Sequence, residues 1–69
     1  MSSMWIVLLG KERHQLVTAL VKDQHVSVYL PTGSTRYYVK FEHATKERAF
    51  IVFLTDNGYP YEKVAYPPR

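Results

Sequence analysis

Residues 25–42 read HVSVYLPTGSTRYYVKFE, and this stretch decides the fold. Apolar and polar side chains alternate on both sides of a Pro-Thr-Gly-Ser cluster at residues 31–34, a pattern typical of two strands joined by a turn. A four-residue turn places Val28 opposite Tyr37 and brings both apolar faces to the same side. The sequence therefore predicts a β-hairpin with strands at His25–Leu30 and Arg36–Glu42.

The other face of this hairpin is aromatic and basic. The same register predicts three cross-strand pairs on it: Tyr29 with Arg36, Ser27 with Tyr38, and His25 with Lys40. Aromatic rings stack on exposed bases, and cationic side chains neutralise phosphates. The pattern thus indicates a surface for single-stranded nucleic acid.

Outward from the hairpin, the chain shows two further strands and a helix. Met4–Leu9 is a continuous apolar run, as expected of a central strand. Thr45 is the expected N-cap, and Gly58 the expected stop, of a helix. Its inward stripe comprises Ala49, Phe50, Phe53 and Leu54. Tyr61–Tyr66 is the predicted last strand.

The stretch Lys11–Asp23 fits two structures. As a helix it forms a stripe of Arg13, Leu16, Val17, Leu20 and Val21; as a strand it pairs Val17, Ala19 and Val21 with the hairpin. The helix gives the order β-α-β-β-α-β, the ferredoxin-like arrangement of an α+β fold with an antiparallel sheet, and we prefer it. The alternative is a four- or five-stranded antiparallel sheet with a single helix at residues 45–57. In both cases residues 1–69 form a single small domain.

Composition narrows the classes of function. The chain has no cysteine, which excludes disulfides and thiolate metal sites, and its net charge of +3 is a mild basic bias. His14, His25 and His43 lack the close spacing of metal ligands, so neither a metal nor another cofactor is expected. The carboxylates form no catalytic pair. These features predict a protein that is not an enzyme.

The hydropathy pattern bears on cellular location. The longest apolar run is far shorter than a membrane span. A basic segment typical of a signal peptide does not precede it. We therefore expect no membrane association and a cytoplasmic location.

Part of the hairpin resembles the RNA recognition motif, a family of RNA-binding domains. The resemblance covers Thr32–Glu42 and ends in the aromatic-Val-x-aromatic pattern of that family's third strand, here Tyr38-Val39-Lys40-Phe41. Trp5 lies in the first strand, where the family also carries an aromatic residue. The resemblance implies that Trp5 and Tyr38 stack on bases. The chain departs from the family pattern at Ser34, Arg36 and Tyr37.

The sequence thus predicts a small binding module, and two kinds of partner are compatible with it. The first is single-stranded RNA or DNA, bound through Trp5, His25, Tyr29, Arg36, Tyr38 and Lys40. The alternative is a small inhibitor or adaptor that docks on a larger protein, or forms a homodimer, through apolar residues left exposed on the helix at residues 45–57. For that surface the predicted residues are Ile51, expected to be exposed or half exposed, and Val52, expected at the margin of the inward stripe.

Overall fold

The computed structural model describes residues 4–65 and contains six elements of secondary structure. They are β1 (Trp5–Leu8), α1 (Arg13–Leu20), β2 (Val26–Tyr29), β3 (Tyr37–Phe41), α2 (Ala44–Asp56) and β4 (Tyr61–Val64). The strands form one antiparallel sheet in the order β2-β3-β1-β4. The predicted ferredoxin-like α+β order is confirmed, and the single-helix alternative is wrong because Arg13–Leu20 is helical.

The core lies between the two helices and one face of the sheet. Its central residues are each at most 8% exposed: Ile6, Leu8, Val17, Val39 and Leu54. They come from β1, β3 and both helices, so burial of this cluster fixes both helices on the same side of the sheet. No helix within residues 4–65 is long and apolar enough to cross a membrane.

The first helix uses only part of its predicted stripe. Leu16, Val17 and Leu20 pack against the core, whereas Val21 lies just beyond the helix and is 58% exposed. Arg13 instead donates hydrogen bonds to the backbone oxygens of Gly10 and Thr35. It thereby ties the start of α1 to the loop between β2 and β3.

The hairpin register differs by two residues from the predicted one. Val28 lies opposite Val39 rather than Tyr37. The turn at residues 31–34 forms as expected, with Gly33 at φ +81° and the Ser34 N–H donating to the Pro31 oxygen at 2.9 Å. However, the Ser34 hydroxyl accepts a hydrogen bond from the Arg36 N–H, and the Thr35 backbone oxygen accepts one from the Arg13 side chain. Thr35 and Arg36 therefore remain in the loop, and β3 begins at Tyr37.

This shift changes the partners but not the faces, because side chains in a strand alternate with a period of two. The predicted pairs Tyr29–Arg36, Ser27–Tyr38 and His25–Lys40 are therefore wrong. Tyr29 instead lies opposite Tyr38, and Ser27 opposite Lys40.

The second helix begins earlier than predicted and ends as predicted. His43 rather than Thr45 is the N-cap residue, and it makes no side-chain capping bond. Asn57 closes the other end and Gly58 follows at φ +69°, where the Tyr59 N–H donates to the Leu54 oxygen at 2.9 Å. This is the glycine-dependent termination that the sequence indicated.

The inward face of α2 is rotated from the predicted stripe. Leu54 is buried and Phe50 and Ile51 pack against the core, but Ala49 is exposed and Phe53 is 44% exposed. Ile51 is therefore half-buried: it packs against the core and also lines a surface pocket with Val52. Residues 50–54 (Phe-Ile-Val-Phe-Leu) are apolar throughout, so their periodicity does not specify which side of the helix faces the sheet.

An ion pair joins α2 to the loop before β2. The Lys46 Nζ donates to the Asp23 Oδ2 at 2.7 Å, and the His25 backbone N–H donates to the Asp23 Oδ1 at 2.9 Å. The Lys46 hydrogen bond first, and then the backbone one, hold the pKa of the Asp23 carboxyl below its ordinary value of 3.8. Because this pKa is lower in the folded state, the ionised Asp23 carboxyl stabilises the fold at pH values above its ordinary pKa. This stabilisation is lost as the pH falls through the lowered pKa.

We expect the substitution Lys46→Met to raise the pKa of Asp23 towards its ordinary value, because it removes the main group that favours the carboxylate. The measurement is an NMR titration of the Asp23 side-chain carboxyl carbon. Lys63→Met is the matched control, since Lys63 pairs with Glu47 at 3.7 Å and not with Asp23. An Asp23 pKa that is the same in the wild type and in Lys46→Met would show that the ion pair does not form in solution.

Candidate nucleic-acid interface

Both helices cover the same face of the sheet, and the side chains that alternate with the core residues form the opposite face. We call this the open face. Its members are Trp5, Val7, Ser27, Tyr29, Tyr38, Lys40, Glu62 and Val64. Four of the residues predicted to bind nucleic acid therefore lie together on it.

Three aromatic rings of the open face form a contiguous group, the aromatic cluster (Trp5, Tyr29, Tyr38). The ring centroids of Trp5 and Tyr29 are 6.3 Å apart, and those of Tyr29 and Tyr38 are 6.4 Å apart. Both pairs are tilted, within the distance range of favourable aromatic contacts. The cluster depends on the shifted register, because that register places Tyr29 directly opposite Tyr38.

The three rings differ in how much surface they offer. Tyr29 is 39% exposed and Trp5 is half-buried, whereas Tyr38 is only 7% exposed. A base needs an accessible ring face to stack on. The accessible aromatic surface is therefore that of Trp5 and Tyr29, with Tyr38 packed beside Tyr29 as its support.

Positive charge lies directly at the aromatic cluster. The Lys40 Nζ is 5.7 Å from the centroid of the Trp5 ring, a cation–π distance. Arg36 is exposed and lies in the loop immediately before β3, so it does not pair with Tyr29. Glu62, opposite Val7, is an acidic residue of the same face.

His25 does not join the aromatic cluster. Its Nδ1 lies 3.2 Å from the Glu42 Oε1, and its ring centroid is 4.9 Å from that of His43. The spacing of the histidines does not predict this group of His25, Glu42 and His43, since His25 and Glu42 are far apart in sequence. The signal that identifies it is the hairpin, because the strand ends bring His25 beside Glu42.

The residues predicted for protein docking lie on the opposite layer of the molecule. On α2, Val52 is 51% exposed, and its neighbour Ile51 packs against the core. Ile51 and Val52 both line a surface pocket between α2 and Lys63 of β4, and Phe53, predicted to face inward, is 44% exposed.

Comparison with protein-family models, with curated proteins and with solved structures found no match to this chain. The ferredoxin-like order is shared by proteins of many functions. The fold order alone therefore does not specify a function, and the residues of the open face have to be considered.

Proposed function

We propose that this protein is a non-enzymatic module that binds single-stranded RNA or DNA through the open face. The observation that carries the proposal is the placement of the Lys40 ammonium 5.7 Å from the Trp5 ring, beside the half-exposed ring of Tyr29. Stacking surfaces and a cation are thus combined on one face of a sheet. The resemblance of the hairpin to the RNA recognition motif supports the same function.

A single strand suits this surface better than a duplex. In a duplex the bases are stacked on one another, and their faces are not available to protein rings. In a single strand the bases can turn outward and lie on Trp5 and Tyr29, while phosphates approach Lys40 and the neighbouring Arg36. The net charge of +3 adds a weak general attraction.

The direct test is fluorescence anisotropy of labelled single-stranded RNA and DNA of about 10 nucleotides, a length that spans a small binding face. We expect saturable binding in low salt, with a dissociation constant on the order of micromolar. A duplex of the same sequence is expected to bind more weakly. Failure of both single strands to bind, or preference for the duplex, would contradict the proposal.

The positive charges of Lys40 and Arg36 are expected to make the affinity for a single strand depend on salt concentration. We expect the double substitution Lys40→Gln and Arg36→Gln to reduce the slope of log affinity against log salt by about 1.4, because each phosphate contact on a single strand contributes about 0.7. Lys22→Gln with Arg48→Gln is the matched control, since it removes the same charge away from the open face. Equal slopes for the two double variants would show that binding is not localised there.

Docking to another protein is the second candidate, favoured by the exposure of Val52 and Phe53. The substitution Val52→Asp separates the two functions, because Val52 lies on the layer opposite the open face. Under our proposal it leaves nucleic-acid affinity unchanged. A wild type that binds no single strand, but self-associates in sedimentation experiments until Val52 is replaced, would instead support docking.

A further inference from the structure

A second group of polar side chains lies where the β2–β3 hairpin meets α2. We call it the hairpin-end cluster (His25, Glu42, His43). It offers one nitrogen or oxygen ligand atom from each residue, and these three atoms all lie within 4.8 Å of one another. It is distinct from the aromatic cluster and plays no part in the proposed binding of nucleic acid.

The backbone fixes all three residues. The Glu42 N–H donates to the His25 oxygen at 3.0 Å, which continues the β2–β3 pairing by one residue beyond the strands. His43 follows with an extended backbone (φ −116°, ψ 127°) and is the N-cap of α2, although its side chain makes no capping bond. Its imidazole is therefore available, and it lies beside that of His25.

We propose that the hairpin-end cluster binds a divalent transition-metal ion of the zinc type. In a tetrahedral zinc site, nitrogen and oxygen ligands lie about 2.0–2.2 Å from the metal and so about 3.3–3.6 Å from one another. The Glu42 Oε1 lies 3.2 Å from the His25 Nδ1 and 3.9 Å from the His43 Nε2. Both separations that involve the carboxylate are therefore close to those of such a site, and the two imidazole nitrogens, which lie within 4.8 Å of each other, complete it by small side-chain rotations.

The ligand types also favour this class of ion. Two imidazoles and one carboxylate suit zinc, copper or nickel, whereas magnesium and calcium prefer oxygen ligands throughout. Three protein ligands leave the fourth position to water. The side chains of His25, Glu42 and His43 are 39%, 62% and 53% exposed, so a hydrated ion reaches them from solvent.

The surrounding charges are compatible with a cation. The nearby Lys46 ammonium is held by Asp23 at 2.7 Å. Within residues 4–65, the Glu42 carboxylate lies close to the two imidazoles of the cluster and to no lysine or arginine side chain. Its carboxylate is thus directed at the place where the ion would bind.

The test is calorimetric titration of the protein, free of any histidine tag, with zinc chloride. We expect one ion per chain. His25→Gln and His43→Gln are each expected to weaken binding at least about tenfold, because even loss of an outer-shell partner costs about 10- to 100-fold. His14→Gln is the matched control, as His14 pairs with the Tyr37 hydroxyl at 2.8 Å and lies outside the cluster.

Two spectroscopic measurements make the result independent of variant stability. Cobalt(II) is expected to give the visible absorption of a low-symmetry site in the wild type, and zinc is expected to shift the ring resonances of His25 and His43 but not those of His14. Absence of zinc binding at millimolar metal would overturn the proposal. Binding that survives both His25→Gln and His43→Gln, or that is weakened equally by His14→Gln, would overturn it as well.

Discussion

Replacing both Trp5 and Tyr29 with alanine is expected to weaken binding to a single strand on the order of 100-fold. Each stacked base contributes about 1–3 kcal/mol, and these two residues supply the accessible ring surface of the aromatic cluster. The single variants are each expected to lose about tenfold. The measurement is the anisotropy titration described above, with circular dichroism to verify that each variant is folded.

Phe53→Ala is the matched control for this experiment. Phe53 is 44% exposed, close to the 39% of Tyr29, but it lies on α2 in the opposite layer. We expect its replacement to leave the affinity unchanged. If Phe53→Ala weakened binding as much as Tyr29→Ala, the loss would reflect general disturbance of the domain and not stacking.

Truncation of a core side chain is expected to have a large effect on the free energy of unfolding. Leu54→Ala is expected to reduce the free energy of unfolding by about 3 kcal/mol, because Leu54 is fully buried among residues of the sheet and α1. A chain of 69 residues has a total stability of only about 3–10 kcal/mol. This single change therefore removes a large part of it.

Urea unfolding followed by circular dichroism measures this loss. Val52→Ala on the same helix is the control, since Val52 is 51% exposed and its replacement is expected to change stability by no more than about 0.5 kcal/mol. A loss below about 1 kcal/mol for Leu54→Ala would contradict the arrangement of α2 on the sheet.

The order of elements was predictable because strong local signals mark each of them. The alternation on either side of residues 31–34, the apolar run at Met4–Leu9 and the glycine at the end of α2 correspond to observed elements. The helix between β1 and β2 was the open choice. Its formation completes the fold, because Val17 is then buried against the sheet.

The hairpin register was not predictable from alternation. A shift of two residues preserves the face of every side chain, so the hydrophobic pattern is the same in both registers. The choice depends on hydrogen bonds in the loop, where Arg13 binds Thr35 and Ser34 binds Arg36. One of these contacts comes from a residue of α1, which no local pattern of the hairpin reveals.

The site was predictable in composition and less so in arrangement. Trp5, Tyr29, Tyr38 and Lys40 were expected on one face and lie there, but the burial of Tyr38 follows from the shifted register and from neighbouring side chains. The sequence did not predict the hairpin-end cluster, because the spacing rules for metal ligands apply to residues that are close together in the chain. His25 and Glu42 meet only through pairing of two strands.

The fluorescence of Trp5 tests the central claim most directly, because it is the only tryptophan of the chain and lies within the aromatic cluster. Titration of the wild type with an unlabelled single strand is expected to quench this fluorescence saturably, as a base stacks on the indole ring, and added salt is expected to reverse the quenching. The midpoint is expected to match that of the anisotropy titration. Binding detected by anisotropy without any change in Trp5 fluorescence would contradict recognition through the open face.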